Sequence, residues 1–344
     1  MVVHICCSVD SWYFLGKIRE KYPDEKLVGF FYNPNIHPES EYQTRLIDSR
    51  RSCEQLGIEW IEGPYELEKW MEQVRGQESA PEKGARCAIC FDLRLHKTAE
   101  LAQSLGHQSY TTTLLMSPKK DFSQLHNAAA RLQEQFSPRF VIEDFRKGGG
   151  TQAQFALAKT KQAYRQNYCG CLYALGAQRE AQGRLATELF EPLARKEDAG
   201  PVARLKLYKR RDALEKEGKN PRIIRQRRLH WVLLQGGLWQ EGGEAIDSEI
   251  LPYSSGDFEL SATLEILSDQ VAVLPKQPGF VVTRSFVSGL KGAGRAAAIR
   301  HKLGLAQMDL TPIFVVDELP RQKLRLCLRT RLWEETQEFL AHFQ

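Results

Sequence analysis

Over residues 1–185 the sequence predicts an α/β fold, a parallel-sheet three-layer sandwich, with an α+β module in the C-terminal half. Three observations predict it. Strand-like and helix-like segments alternate through this stretch, which implies a parallel sheet with helices on both faces. The strand-like segments, such as Val2–Cys7, are short apolar runs with β-branched residues, as buried strands are. Turn residues, such as Asn33-Pro34-Asn35, break the chain between them.

In order, residues 2–7 read as a first strand and 11–21 as an amphipathic helix that Ser8 or Asp10 could cap. A strand over 26–35, a polar helix over 38–56, a strand over 59–63 and a helix over 65–75 follow. A loop over 77–86 delivers Cys87 and Cys90 to a helix over 91–106, which Gly106 stops. Next come a strand over 110–118, a helix over 124–136, a strand over 140–145 and a helix over 151–168 that ends at Cys169. The expected domains are 1–185 (the α/β domain), 186–235 (a basic helical connector) and 236–344 (an α+β accessory module). Within the connector, residues 204–228 hold eleven Lys/Arg against three Asp/Glu. Beyond it, 258–284 read as two or three strands, 288–304 as a glycine-rich approach to a basic helix, 313–319 as a strand and 320–342 as mostly helical.

The 344 residues carry 42% hydrophobic side chains and a net charge of +5, a soluble globular composition that permits a nucleic-acid partner without requiring one. No apolar run approaches the ~20 residues that span a bilayer, and the N-terminus does not read as a signal peptide. A cytoplasmic protein is expected, whose cysteines stay reduced.

Six of the eight cysteines stand in three pairs: Cys6-Cys7, Cys87-x-x-Cys90 and Cys169-Gly170-Cys171. Four thiolates fill a tetrahedral zinc site or hold a [4Fe–4S] cluster. Vicinal thiols suit a cubane, with irons at separate corners, better than one small ion. Cys169 and Cys171 fit a strained, readily reduced disulfide or a second metal site with Asp10. Structural zinc on all six is the plainer reading. Asp10 fits a helix cap as well as a ligand or proton donor. His4 reads as a core residue beside the thiols, and the isolated Cys53 and Cys327 as small buried apolar residues.

Two stretches could bind substrate at the sheet edge. The run 111–121 ends a strand with Ser117, Pro118 and two lysines, Lys119 and Lys120, and Arg146 and Lys147 precede three glycines that would let backbone amides approach a phosphate or base. No dinucleotide or P-loop pattern is present, and an ordinary loop explains the glycines equally well. Tyr164 and Tyr168, with Arg165 between them, line a pocket or simply pack.

The motifs HICCSVD (4–10), RCAICFDLRL (86–95), TLLMSPKK, DFRKGGG and YRQNYCGCLYAL (164–175), in this order, resemble the epoxyqueuosine reductase family of the QueH type. The resemblance covers about residues 1–185 and leaves the C-terminal half unexplained. It implies a fold like that of the adenine nucleotide α-hydrolases, which is PP-loop-like. It implies two-electron reduction of the epoxide of epoxyqueuosine, in the wobble position of tRNA, to give queuosine. Cys6, Cys7, Cys87 and Cys90 would then be ligands of a [4Fe–4S] cluster. Cys169 and Cys171 would be a redox-active pair, and Asp10 a ligand of a second metal, an iron, that takes the epoxide oxygen. An external electron donor is implied as well. The rival readings are a PP-loop-like tRNA sulfur-transfer enzyme, which VVHICCSVDS disfavours because it lacks the ATP-gripping Ser-Gly-Gly-x-Asp-Ser loop, and a zinc-stabilised RNA-binding protein.

Overall fold

The computed structural model describes the chain apart from residues 119, 121, 190–199, 291–293, 308 and 342–344. The chain forms two compact units. One holds Met1–Ala186, Leu205–Ile223 and the stretch from Leu340; the other holds Thr187–Arg204 and Ile224–Phe339.

The first unit runs β1 (Val2–His4), α1 (Ser8–Lys21), β2 (Val28–Phe31), α2 (Glu39–Leu56), β3 (Glu59–Glu62), α3 (Leu67–Gln73), α4 (Ala85–Ser104), β4 (Ser109–Thr112), α5 (Phe122–Gln133), β5 (Arg139–Phe140), α6 (Gly150–Thr160) and α7 (Leu172–Ala181). Its five strands lie in the order β3-β2-β1-β4-β5 and are all parallel, as the alternation predicts. Helix α1 packs on α2 and α6, and α4 packs on α5 and against β1 and β4. The middle strand is buried on both faces, which is why Val2–His4 is an unbroken apolar run rather than an alternating one. Strand order reverses between β1 and β4, and a doubly wound sheet offers its crevice at that point, beyond the carboxyl ends of those two strands.

Gly29 on β2 shows how closely this core is filled. A Cβ there would lie 2.7 Å from Cys53 Sγ and 2.9 Å from Ile5 Cδ1. Cys53 is fully buried, so the thiol is the packing residue that its isolation in the sequence suggests. Gly29→Ala is expected to cost about 1–3 kcal/mol through overpacking, read from a denaturation curve, and Gly29→Ala with Cys53→Ala to recover part of it. An unchanged midpoint for the single variant would refute this account of the packing.

Several elements differ from their expected bounds. The first strand stops at His4, so Cys6 and Cys7 lie in the turn beyond it. Thr113–Met116 form a 3-10 turn rather than the end of a strand, and 141–145 lie outside β5. Helix α6 ends at Thr160 instead of running to Cys169. Gln162 takes a left-handed φ of 50°, and Ala163 N bonds Ala158 O at 2.8 Å, which closes the helix eight residues early.

The remaining elements are α8 (Gly200–Lys216), β6 (Arg222–Gln240), β7 (Ala245–Ile246), β8 (Ser248–Ile250), β9 (Asp257–Ala262), β10 (Glu265–Ile266), β11 (Val271–Val273), β12 (Phe280–Thr283), α9 (Arg295–Lys302), β13 (Ile313–Val316) and β14 (Leu324–Ala341). They build a five-stranded sheet, β10-β11-β12-β13-β8, and a four-stranded one, β7-β6-β14-β9. The expected helical connector is therefore helix only through α8. Gly218, with φ 76°, ends that helix, Pro221 follows, and Arg222 begins a strand. Residues 324–341 are strand, not helix. Leu324, Leu326 and Leu328 are buried while Arg325 and Arg329 are exposed, an alternation interrupted at the buried Cys327 and obscured by the helix-favouring Leu and Glu content. Cys327 is buried in this strand as a small apolar residue.

Candidate functional site

Cys6 and Cys7 follow β1 at the topological switch point. Cys6 N donates to Thr113 Oγ1 at 3.0 Å, and that hydroxyl donates to Cys6 Sγ at 3.2 Å, so the turn after β4 fixes the first thiol. The Cys6 and Cys7 sulfurs are 3.8 Å apart, and Asp10 Oδ2 lies 3.2 Å from Cys6 Sγ. All three groups are buried, with their donor atoms within 4.8 Å of one another. Asp10 stands in the first turn of α1 but does not cap it. Its Oδ1 accepts from Gln154 Nε2 of α6, which turns the carboxylate toward the sulfurs. Contact with Cys7 holds the Cys6 thiol well below its usual range, and the same contact with burial pushes Cys7 up; burial also raises Asp10.

Cys87 and Cys90 occupy the first turns of α4, three residues apart and so on one face. They line a small cavity together with Cys169, Cys171, Arg86, Arg94 and Lys120. The loop carrying Cys169 and Cys171 is fastened from α2. Arg45 donates from Nη1 to Cys169 O and from Nη2 to Tyr168 O, both at 3.1 Å, and His37 N donates to Gly170 O at 2.9 Å. Gly170 has a φ of 106°, and a Cβ there would lie 2.8 Å from Ile36 Cγ1, so only glycine passes between the two thiols. Contact with Cys171 lowers the Cys169 thiol, and Lys120 adds to the effect; burial raises Cys90.

A cavity of about 460 Å³ joins the two groups. Its wall includes Cys6, Asp10, Cys169, Arg94 and Lys120, and the last three also face the small cavity. The three pairs lie around two adjoining cavities: Cys6 and Cys169 face the large one, and Cys87, Cys90, Cys169 and Cys171 the small one. Cys6 and Cys7 lie close enough to Asp10 to share an ion with it. All eight cysteines are free thiols.

The expected substrate residues divide. Ser117 and Tyr168 line the large cavity, and the Tyr168 hydroxyl donates to His37 O. Lys119 lies outside the described residues. Arg146 is a strut: it donates to Ser117 O at 3.2 Å and Lys120 O at 3.4 Å, and its guanidinium lies 4.0 Å from the centre of the Phe122 ring. Lys147 is exposed beside Asp144, and Tyr164 donates to Glu41 at 2.6 Å; neither lines either cavity. The glycine run is explained by the chain path. Gly148 and Gly149 have positive φ, and a Cβ on Gly150 would collide with Phe145 O as α6 begins. His4 is fully buried between Thr112 Oγ1 and Tyr32 O, a core residue. Arg211 of the basic segment is buried in an ion pair with Asp48, whereas Arg225 and Arg227 are exposed.

Arg45, Arg94, Thr113 and Gln154 escape the sequence reading, whereas Lys120, one of the two lysines expected at the sheet edge, lines both cavities. Arg94 had a signal, one helical turn after Cys90; Gln154, 144 residues from Asp10, had none. Because Gln154 orients Asp10 from behind, Gln154→Leu is expected to lower turnover about 10–100-fold while Gln154→Glu changes its pH profile. Wild-type rates in the leucine variant would show that Asp10 needs no such support.

The family model described as "Epoxyqueuosine reductase QueH" matches residues 1–177. A Helicobacter pylori protein of that name is 45% identical over 246 residues, 70% of this chain and 67% of the relative. That match is longer than the first 185 residues, so likeness to this relative reaches into the C-terminal half. A Thermotoga maritima protein of the same name is 33% identical over 189 residues, 54% of this chain and 95% of the relative. Among solved structures, the U34-tRNA thiolase NcsA from Methanococcus maripaludis, with its [4Fe-4S] cluster, superposes on 62% of this chain and 72% of its own at 11% identity and a TM-score of 0.33, too loosely to carry an argument.

Proposed function

The chain belongs to the epoxyqueuosine reductase QueH family, and from that premise we propose that it removes the epoxide oxygen of epoxyqueuosine in tRNA. The reaction takes the epoxide, two electrons and two protons to an alkene and water. The observation that carries the reading is a nucleobase-sized cavity walled by Cys6, Asp10, Cys169 and the cations Arg94 and Lys120, with Cys7 beside Cys6 and Asp10 and with Cys87, Cys90 and Cys171 on the small cavity that shares its Cys169 wall.

The donor set fits an iron–sulfur cluster. Cys87, Cys90, Cys169 and Cys171 offer four thiols around one cavity, and Arg86, Arg94 and Lys120 oppose the negative charge that four thiolates bring. We assign the cluster to these four, and a second metal to Cys6, Cys7 and Asp10. When bound, such groups supply single electrons and a Lewis-acid position for the leaving oxygen. The chain's own residues do the rest. Gln154 holds Asp10 Oδ1, which leaves Oδ2 facing Cys6 and the cavity. Lys120 lines both cavities; burial opposes its charge, but Cys169, Cys87 and Cys90 favour it and hold the ammonium above the usual lysine range. Arg94 is anchored through Asn33 Oδ1 at 2.5 Å and places a fixed cation in the wall common to both cavities.

The test is anaerobic purification with iron, sulfide and zinc analysis, followed by turnover of tRNA bearing epoxyqueuosine with a chemical reductant. Expected are a brown protein and conversion to queuosine in the nucleoside digest. A colourless zinc protein without turnover would overturn the assignment and favour the non-catalytic RNA-binding reading.

A further inference from the structure

We propose that Phe155 and Arg165 form a stacking platform, at the large cavity, for an unpaired RNA base next to the reacting nucleotide. The inference rests on the tRNA reading above and adds a contact that reading does not require. It starts from adjacent residues of α6 with opposite surroundings. Gln154 is fully buried on Asp10, whereas Phe155 is 37% exposed. Phe155 is the one aromatic among the large apolar side chains exposed on the described residues, and it joins none of the hydrophobic clusters. Even so it lines the cavity that holds Cys6, Asp10 and Cys169. Arg165 lines the same cavity, with its guanidinium 5.1 Å from the centre of the Phe155 ring. The early stop of α6 at Thr160 is what frees the following loop to bring Arg165 back over the helix.

The chemistry fits a base better than an apolar protein anchor. A nucleotide whose modified ring must reach buried thiols leaves the stack of its neighbours, and those neighbours lose a partner. Aromatic rings and guanidinium planes are the groups on which proteins restack unpaired bases, and a guanidinium also attracts the phosphate beside the base. An exposed phenylalanine paired with arginine, in the wall of the reaction cavity, supplies both surfaces.

The experiment uses the full-length, metal-loaded protein and an anticodon stem–loop carrying 2-aminopurine beside the wobble nucleotide, at fixed salt. Wild type is expected to bind it and quench the 2-aminopurine. Phe155→Ala is expected to weaken binding about tenfold and relieve the quench, with iron content unchanged, and Phe155→Tyr to restore both. Unchanged affinity and quenching in the alanine variant would overturn the platform, as would iron loss, which would mark a packing role. If the stem–loop is bound through Phe155 but never reduced, the proposed reaction fails and the platform stands. If free epoxyqueuosine nucleoside is reduced while the stem–loop is not bound, the platform alone fails.

Discussion

Cys90→Ser is expected to strip the cluster iron and the visible absorbance, and to drop turnover to less than about one-hundredth, since even partners behind a metal ligand are worth 10–100-fold. Cys90 is buried against Trp70, Val74, Ala174 and Cys171. A serine there exchanges a soft thiolate for a hard, weakly acidic hydroxyl in an apolar setting, which neither binds iron well nor finds a hydrogen-bond partner easily. Cys53→Ser is the control. That thiol is as deeply buried but packs on Gly29, away from both cavities, so it should lower stability and leave iron intact. The same measurement separates the two possible ligand sets. With the grouping proposed above, Cys169→Ser removes cluster iron and sulfide, whereas Cys7→Ser removes one metal and no sulfide. The reverse pattern would return the cluster to Cys6, Cys7, Cys87 and Cys90.

The sequence carries the thiols and the sheet but not their partnership. Cys6 and Cys7 sit at the edge where the first parallel strand ends, and that placement follows from the apolar run alone. Which thiols share a cavity depends on where the loop after α6 returns, and that depends on one left-handed residue, Gln162, set among helix formers such as Ala158, Lys159, Lys161 and Ala163. The positioning residues are harder still. Gln154 and Arg45 act through atoms more than a hundred positions from their targets, and neither residue type is unusual in a helix. Arg146 and Tyr164 show the converse. Their motifs draw attention, yet one braces a loop and the other caps a buried carboxylate. In the C-terminal half, β14 is disguised because Leu, Glu and Gln favour helix while the burial pattern follows a strand.

Arg45→Met is expected to cost about 3–5 kcal/mol of stability and also to loosen the metal site. Arg45 is 2% exposed; its Nε donates to Glu41 at 2.7 Å, and Glu41 in turn accepts from the Tyr164 hydroxyl. Removing the guanidinium strands a buried carboxylate, the origin of the large destabilisation. It also releases two carbonyls, of Tyr168 and Cys169, that hold the Cys-Gly-Cys loop against α2. These consequences separate in a second variant. Adding Glu41→Gln neutralises the stranded charge and should recover much of the denaturation midpoint. It cannot re-fasten the loop, so both variants should lose iron to a chelator faster than wild type. Should Arg45→Met keep its iron as firmly as the native protein, the loop is held by its own thiols and Gly170, and Arg45 serves stability alone.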